Sequence, residues 1–365
     1  MITISLCMIV KNEEDVLARC LDSVQGIADE IIVVDTGSTD ATKQIAARYT
    51  SRIYDFVWID DFAAARNFSF SKATKDYILW LDADDLFLEP DRRAFESLKR
   101  ELDPSTDLVM MKYHVGFDAQ GNPNFTYHRE RLMRRACGYR WVGAIHEVIV
   151  PAGNIVYSEV AVTHRKLHPS DPDRNLRIFE KMLARGEILD PRQQFYYGRE
   201  LYYHGRYQEA AFCLSAFLDE GKGWIENNIS ACLDLASCYD GMDQPELALR
   251  ALARSFCYDS PRAEVCCAIG AHFLARRQYA PAIFWYQTAA SLQPDPNSGG
   301  FTSPDCYNFI PYLQLCVCYD RMGDHKTAEK YHRKARRLKP ADPSVRYNDR
   351  YFKSLHKPHS GSSKQ

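Results

Sequence analysis

From Met1 to about Leu189, short apolar runs alternate with amphipathic stretches, which is how a mostly parallel sheet with covering helices reads. The runs predict strands at Ile2–Val10, Glu30–Asp35, Arg52–Phe56, Tyr77–Leu81 and Leu108–Val115. A helix is expected after each of the first two. Asn12–Val24 opens with Asn12 as N-cap and with Glu13, Glu14 and Asp15 in the first turn, where carboxylates favour the positive end of the helix dipole. Asp40–Tyr49 would be capped in the same way by Ser38 or Thr39.

Past Pro191 the strand signal stops, and tyrosine, alanine and leucine recur at helical spacing with a longer period above it. Ala210, Ala248, Ala282 and Ala328 each have a small residue or cysteine twelve positions earlier: Gly198, Ala236, Gly270 and Cys316. In the last three units an aromatic stands nine before the alanine and a proline lies near the end. This is the helix–turn–helix pattern of tetratricopeptide repeats, with the first unit a divergent repeat or cap. Pro294–Pro304, rich in Pro, Gly and Ser, reads as an inserted loop. The chain is therefore expected to hold an α/β domain over 1–189, an all-α repeat domain over 190–345 and a polar tail over 346–365 whose end is disordered.

With 365 residues, 46% hydrophobic and 26% charged, the chain has length for two globular domains. A net charge of −2 provides no global basic field, so no nucleic-acid partner is expected, and contact with any polyanion would need a local patch. The N-terminal run lacks the charged flank and cleavage site of a signal peptide, and no stretch of about 18 apolar residues occurs, so no integral membrane segment is expected. Most of the twelve cysteines lie in helical segments with no CxxC pair, the usage of reduced core thiols in a cytoplasmic protein. Cys316 and Cys318, two apart, would face different sides of a helix.

The chemistry concentrates at strand ends. Leu79–Asp85 reads Leu-Trp-Leu-Asp-Ala-Asp-Asp, three carboxylates closing a buried strand. Such a cluster repels itself unless a hard divalent cation relieves it, and open α/β sheets bind ligands at that end. The bland alternative is an acidic turn that caps the next helix. A second strand ends Val34-Asp35-Thr36-Gly37-Ser38-Thr39-Asp40, where Asp35 can accept from a base or ribose and the following amides can meet an anion.

These segments, with Met8–Glu14, Phe62–Asn67 and Trp141-Val142-Gly143-Ala144-Ile145-His146-Glu147, stand in the order seen in family 2 glycosyltransferases of the GT-A fold. With the repeats behind them, the chain resembles the subgroup that includes bacterial peptide S-glycosyltransferases of the sublancin type. The resemblance implies an inverting, metal-dependent hexosyltransferase that uses a nucleotide-sugar donor, a UDP-sugar, with Mg2+ or Mn2+, and a peptide or protein acceptor held with help from the repeats. Asp35 would hold the nucleobase with backbone at Val10, Asn12 and Glu13, and Asp82 would contact the ribose or sugar. Asp84 would ligate the metal, and Arg66 and Asn67 would donate to the nucleotide-sugar; for Arg66 the alternative is a fold-internal ion pair. Glu147 is the candidate general base, with His146 orienting the site.

His164 matches the place of a late metal-ligating histidine. Arg165-Lys166-Leu167-His168 departs from the subgroup's usual continuation, so the choice lies among His164, His168 and neither. Arg129, Arg131, Arg134, Arg135 and Arg140 would line the diphosphate or an acidic acceptor, or form a solvated face. Rival readings are transfer to a surface polysaccharide or lipid-linked glycan, a nucleotidyltransferase, whose Gly-rich N-terminal loop is missing, and a binding scaffold with an inert catalytic domain. A homodimer is left open.

Overall fold

The computed structural model describes residues 1–117, 121, 123–167, 171–294 and 302–355. The chain divides into two compact units, Met1–Leu189 and Asp190–Gln365. The first runs β1 (Ile4–Val10), α1 (Leu17–Ser23), β2 (Glu30–Asp35), α2 (Thr42–Ala46), β3 (Ile53–Asp55), α3 (Phe62–Phe70), β4 (Tyr77–Trp80), β5 (Asp85–Leu86), α4 (Glu89–Glu101), β6 (Leu108–Phe117), β7 (Pro123–Arg134), β8 (Trp141–Val142), β9 (Val148–Ile149), β10 (Ile155–His164) and α5 (Arg174–Ala184). Eight strands form one sheet in the order β3-β2-β1-β4-β7-β6-β10-β5, and β8 pairs with β9 beside it.

The strand β1 is apolar nearly throughout because both of its faces are covered. Ile4, Leu6, Met8 and Val10 pack with Leu17 and Leu21 of α1 and Phe95 of α4. Cys7, on the opposite face, packs with Ala63 and Phe70 of α3. It pairs in parallel with β2 on one side and β4 on the other, so the strand order reverses there. Such a reversal opens a crevice outside the carboxyl ends of the strands. Val10, Asp35 and the Leu81–Asp85 segment all end at that crevice, which is how the fold gathers the motifs.

The first two helices start later than the pattern predicts. Asn12 is left-handed (φ +56°), and its side chain accepts from the Thr39 amide at 2.8 Å while its own amide donates to the Ser38 hydroxyl at 2.9 Å. The loops after β1 and β2 are thus stitched to each other, and the residues expected to cap helices serve as the stitches. Glycine is required at Gly37, where φ is +105°.

The second unit stacks helical hairpins: α6 (Pro191–Tyr203) with α7 (Tyr207–Glu220), α8 (Ile225–Gly241) with α9 (Pro245–Arg254), α10 (Ala263–Ala275) with α11 (Tyr279–Ser291), and α12 (Phe309–Arg321) with α13 (His325–Leu338). The aligned alanines Ala210, Ala248, Ala282 and Ala328 are all fully buried. Their partners are small for a steric reason: a Cβ on Gly198 would lie 2.7 Å from Leu214, and one on Gly270 2.9 Å from Tyr286. The first hairpin therefore packs by the same rule as the others despite its poorer sequence match. A further helix, α14 (Pro343–Leu355), occupies the start of the stretch expected to be a polar tail, anchored by buried Val345 and Phe352. Most of the predicted inserted loop lies outside the described residues.

All twelve cysteines are free. Cys316 packs with Ala328 and Phe352 and Cys318 with Ala282 and Leu315, so the two do face different sides of α12. Among the described residues no helix is long and apolar enough to cross a membrane.

Candidate active site

Three loops build the site. The Val10 carbonyl accepts from both the amide (2.9 Å) and the hydroxyl (3.1 Å) of Thr36, fixing the ends of β1 and β2 together. Asp35 is almost wholly buried, and its Oδ1 accepts from the Gly37 and Ser38 amides at 3.0 and 2.9 Å. Its Oδ2 is buried with no protein donor. A buried carboxylate oxygen without a partner is costly, so a ligand N–H or O–H would be met favourably there. Glu13 anchors the neighbouring loop through its amide, which donates to the Thr42 hydroxyl at 2.7 Å.

After β4 the chain enters the acidic loop. Asp82 accepts from Arg66 Nη2 at 2.7 Å, and Glu147 accepts from Arg66 Nε at the same distance, so one guanidinium joins the two carboxylates. Arg66 is itself buried, held between the Trp80 and Trp141 rings at 4.9 and 4.8 Å. Burial works against charge on Asp82, but Arg66, Arg131 and Arg129 override it and hold its carboxyl down at about 2. Arg66 thus makes ion pairs with two of the candidate site residues. Asn67 differs from expectation: its amide donates to the Trp141 carbonyl and accepts from the Trp141 amide, each at 2.9 Å. It clamps β8 to α3.

Strand register places His164 beside the acidic loop. In the antiparallel pairing of β10 with β5, His164 stands opposite Asp85. Its Nδ1 lies 3.3 Å from Asp84, 3.2 Å from Asp85 and 3.1 Å from the Tyr113 hydroxyl. Hydrogen bonds to Asp84 and then Asp85 outweigh burial and raise His164 to about 10. His168 lies outside the described residues. Asp84, Asp85 and His164 each offer a ligand atom within 4.8 Å of the others, an oxygen-rich set with one imidazole that suits Mn2+ or Mg2+.

Asp85 has other duties as well. It is fully buried, with Oδ1 accepting from Tyr113 (2.9 Å) and Oδ2 from Arg131 (3.0 Å) and the Asp82 amide (3.1 Å). Asp84 and His164 are the freer donors.

Two residues were not singled out by the sequence. Asp85 was seen only as part of a cluster, and Arg131 only as part of a basic run. Neither reading offered for that run, diphosphate lining or solvated face, describes Arg131: it has no exposure and stacks on Trp80 at 3.8 Å and Tyr113 at 4.3 Å. Arg129 pairs with Glu130, whereas Arg135 and Arg140 are exposed. The signal was available: Arg131 immediately precedes Leu132 and Met133, which belong to the core. Glu147 follows His146, a left-handed residue (φ +52°) whose ring stacks on Phe179. The amide of Phe62 donates to the Ala144 carbonyl at 2.8 Å, tying that turn to α3.

Residues 5–154 match the family model described as glycosyl transferase family 2. A TPR repeat-containing protein of Synechococcus elongatus is 40% identical over 151 residues, covering 41% of this chain and 36% of that protein. The SPbeta prophage-derived glycosyltransferase SunS of Bacillus subtilis is 31% identical over 225 residues, covering 57% of this chain and 51% of that protein. The chain thus spans about half or less of the length of these curated relatives. Among solved structures, MamA from Desulfovibrio magneticus RS-1 aligns with 48% of this chain and 89% of its own at 23% identity and a TM-score of 0.37.

Proposed function

Starting from a chain whose N-terminal unit carries a glycosyl transferase family 2 domain, we propose that it is an inverting hexosyltransferase that uses a UDP-sugar and a divalent cation, with a peptide or protein side chain as acceptor. The observation that carries the reading is the meeting of Asp84 and His164 at the carboxyl edge of the sheet, next to Asp82 and across the strand reversal from Asp35. Asp35 Oδ2 accepts from the nucleobase. Asp82, kept ionised by Arg66, accepts from ribose or sugar hydroxyls. Asp84 and His164 hold the cation, which when bound neutralises charge on the leaving diphosphate.

Glu147, oriented by Arg66, takes the proton of the acceptor. The acceptor's sulfur or oxygen attacks the anomeric carbon from the face opposite the leaving group. The sugar–phosphate C–O bond breaks, and its electron pair departs on the diphosphate. Stacked helical hairpins make extended surfaces suited to polypeptides, and this supports a peptide acceptor. Twelve free cysteines suit a reducing compartment such as the cytoplasm.

The test is Asp84→Ala in the full chain, read by UDP affinity with and without Mn2+ and by UDP-glucose turnover. Turnover and the metal-dependent part of UDP affinity should vanish while the melting temperature holds. Substantial turnover by this variant in EDTA would remove the metal from the reading.

A further inference from the structure

The chain's near-neutral total hides a strong asymmetry at one end. Between His325 and Leu355 stand ten Lys or Arg against three Asp or Glu, a net +7 in a chain whose total is −2. The structure orders these charges. On α13, Ala328, His332 and Ala335 are buried, and at 3.6 residues per turn the opposite face carries Lys326, Lys330, Arg333 and Arg337, all exposed. The four form one row spanning roughly 16 Å along the helix. Arg333 lies 3.8 Å from Glu329, and the other three make no ion pair among the described residues. On α14, Arg346, Arg350 and Lys353 form a second row, again exposed, away from buried Val345 and Phe352. Large apolar side chains on the flanks of the same helices are exposed as well: Leu338 is 46% exposed and Tyr347 64%.

Mixed charges would serve to solvate a repeat's exposed face, whereas a single sign gives a surface field. We propose that the outer surface of α13 and α14 is a peripheral docking face for an anionic lipid bilayer. A straight row of cations matches a plane of headgroup charge. Exposed Leu338 and Tyr347 gain by entering the headgroup boundary, whereas a nucleic-acid backbone or an acidic peptide would leave them in water. Each basic residue near an anionic membrane strengthens binding by roughly fivefold, so the four cations of the α13 row are together worth nearly three orders of magnitude in affinity.

The experiment is co-sedimentation of the full chain with vesicles of phosphatidylcholine alone or mixed with phosphatidylglycerol, over rising salt. Binding should require phosphatidylglycerol and weaken with salt. The combined variant Lys326→Gln, Lys330→Gln, Arg333→Gln, Arg337→Gln should bind roughly five-hundredfold less. The charge-preserving set Lys326→Arg, Lys330→Arg, Arg333→Lys, Arg337→Lys should bind as wild type, which separates charge from any loss of fold. Failure of the wild type to bind the mixed vesicles, or unchanged binding by the Gln variant, overturns the proposal. So does tighter binding to polyglutamate or to single-stranded RNA in parallel titrations.

Discussion

Arg131→Met isolates the part of the site that the sequence hid. Arg131 and Asp85 have no exposure, and their side chains meet at 3.0 Å, so the substitution leaves a buried carboxylate without its cation. Removing one partner of such a pair costs about 3–5 kcal/mol, and for a unit of this size each kcal/mol lowers the melting temperature by about 2–4 °C. The N-terminal unit should therefore melt roughly 6–20 °C lower. Methionine fills most of the volume against Trp80 and Tyr113, so the loss reflects charge more than a cavity. The double variant Asp85→Asn with Arg131→Met removes both charges and should recover most of the loss. Differential scanning calorimetry of the full chain measures all three proteins. A single variant within about 1 °C of wild type, or a double variant as unstable as the single one, would refute the claim that this pair holds the acidic loop.

Glu147→Gln should still accept from Arg66 but cannot take a proton, so turnover should fall roughly 10²–10⁴-fold with UDP affinity unchanged in calorimetry. That penalty should shrink toward about pH 8.5 for a thiol acceptor and persist for a hydroxyl, as matched Cys and Ser acceptors would show. Asp234 on α8 is raised to about 6 because burial outweighs its attraction to Arg199. The folded state then binds more protons than the unfolded one between the model-peptide value of about 3.9 and 6, so this group makes stability fall as pH rises through that window. Asp234→Asn should flatten that slope in urea titrations, its stability relative to wild type rising progressively from about pH 4 to about pH 6. Gly270→Leu should cost the repeat unit about 1–3 kcal/mol in the same assay, because its Cβ alone would sit 2.9 Å from Tyr286.

The sequence by itself determined five of the ten strands among the described residues and the repeat hairpins, because burial on two faces writes continuous apolar runs and hairpin packing writes small residues at fixed offsets. Glu30–Asp35 is a strand to the residue, and Ala210, Ala248, Ala282 and Ala328 all sit where the offset put them. It also marked the acidic loop, since carboxylates clustered so tightly repel one another unless something relieves them. Only the tertiary structure decided which partners those groups take. The β5–β10 register placed His164 against Asp84 and Asp85, and α3 brought Arg66 between Asp82 and Glu147, residues 16 and 81 positions away from it. Asn12 and Ser38 read as caps because local hydrogen bonding is all a sequence window contains, yet in the fold each meets the other's loop. Arg131 read as part of a basic run, either lining the diphosphate or an acidic acceptor or solvated, because charge is normally in contact with water or ligand. It is buried because Asp85, 46 residues away, provides the countercharge that makes burial tolerable.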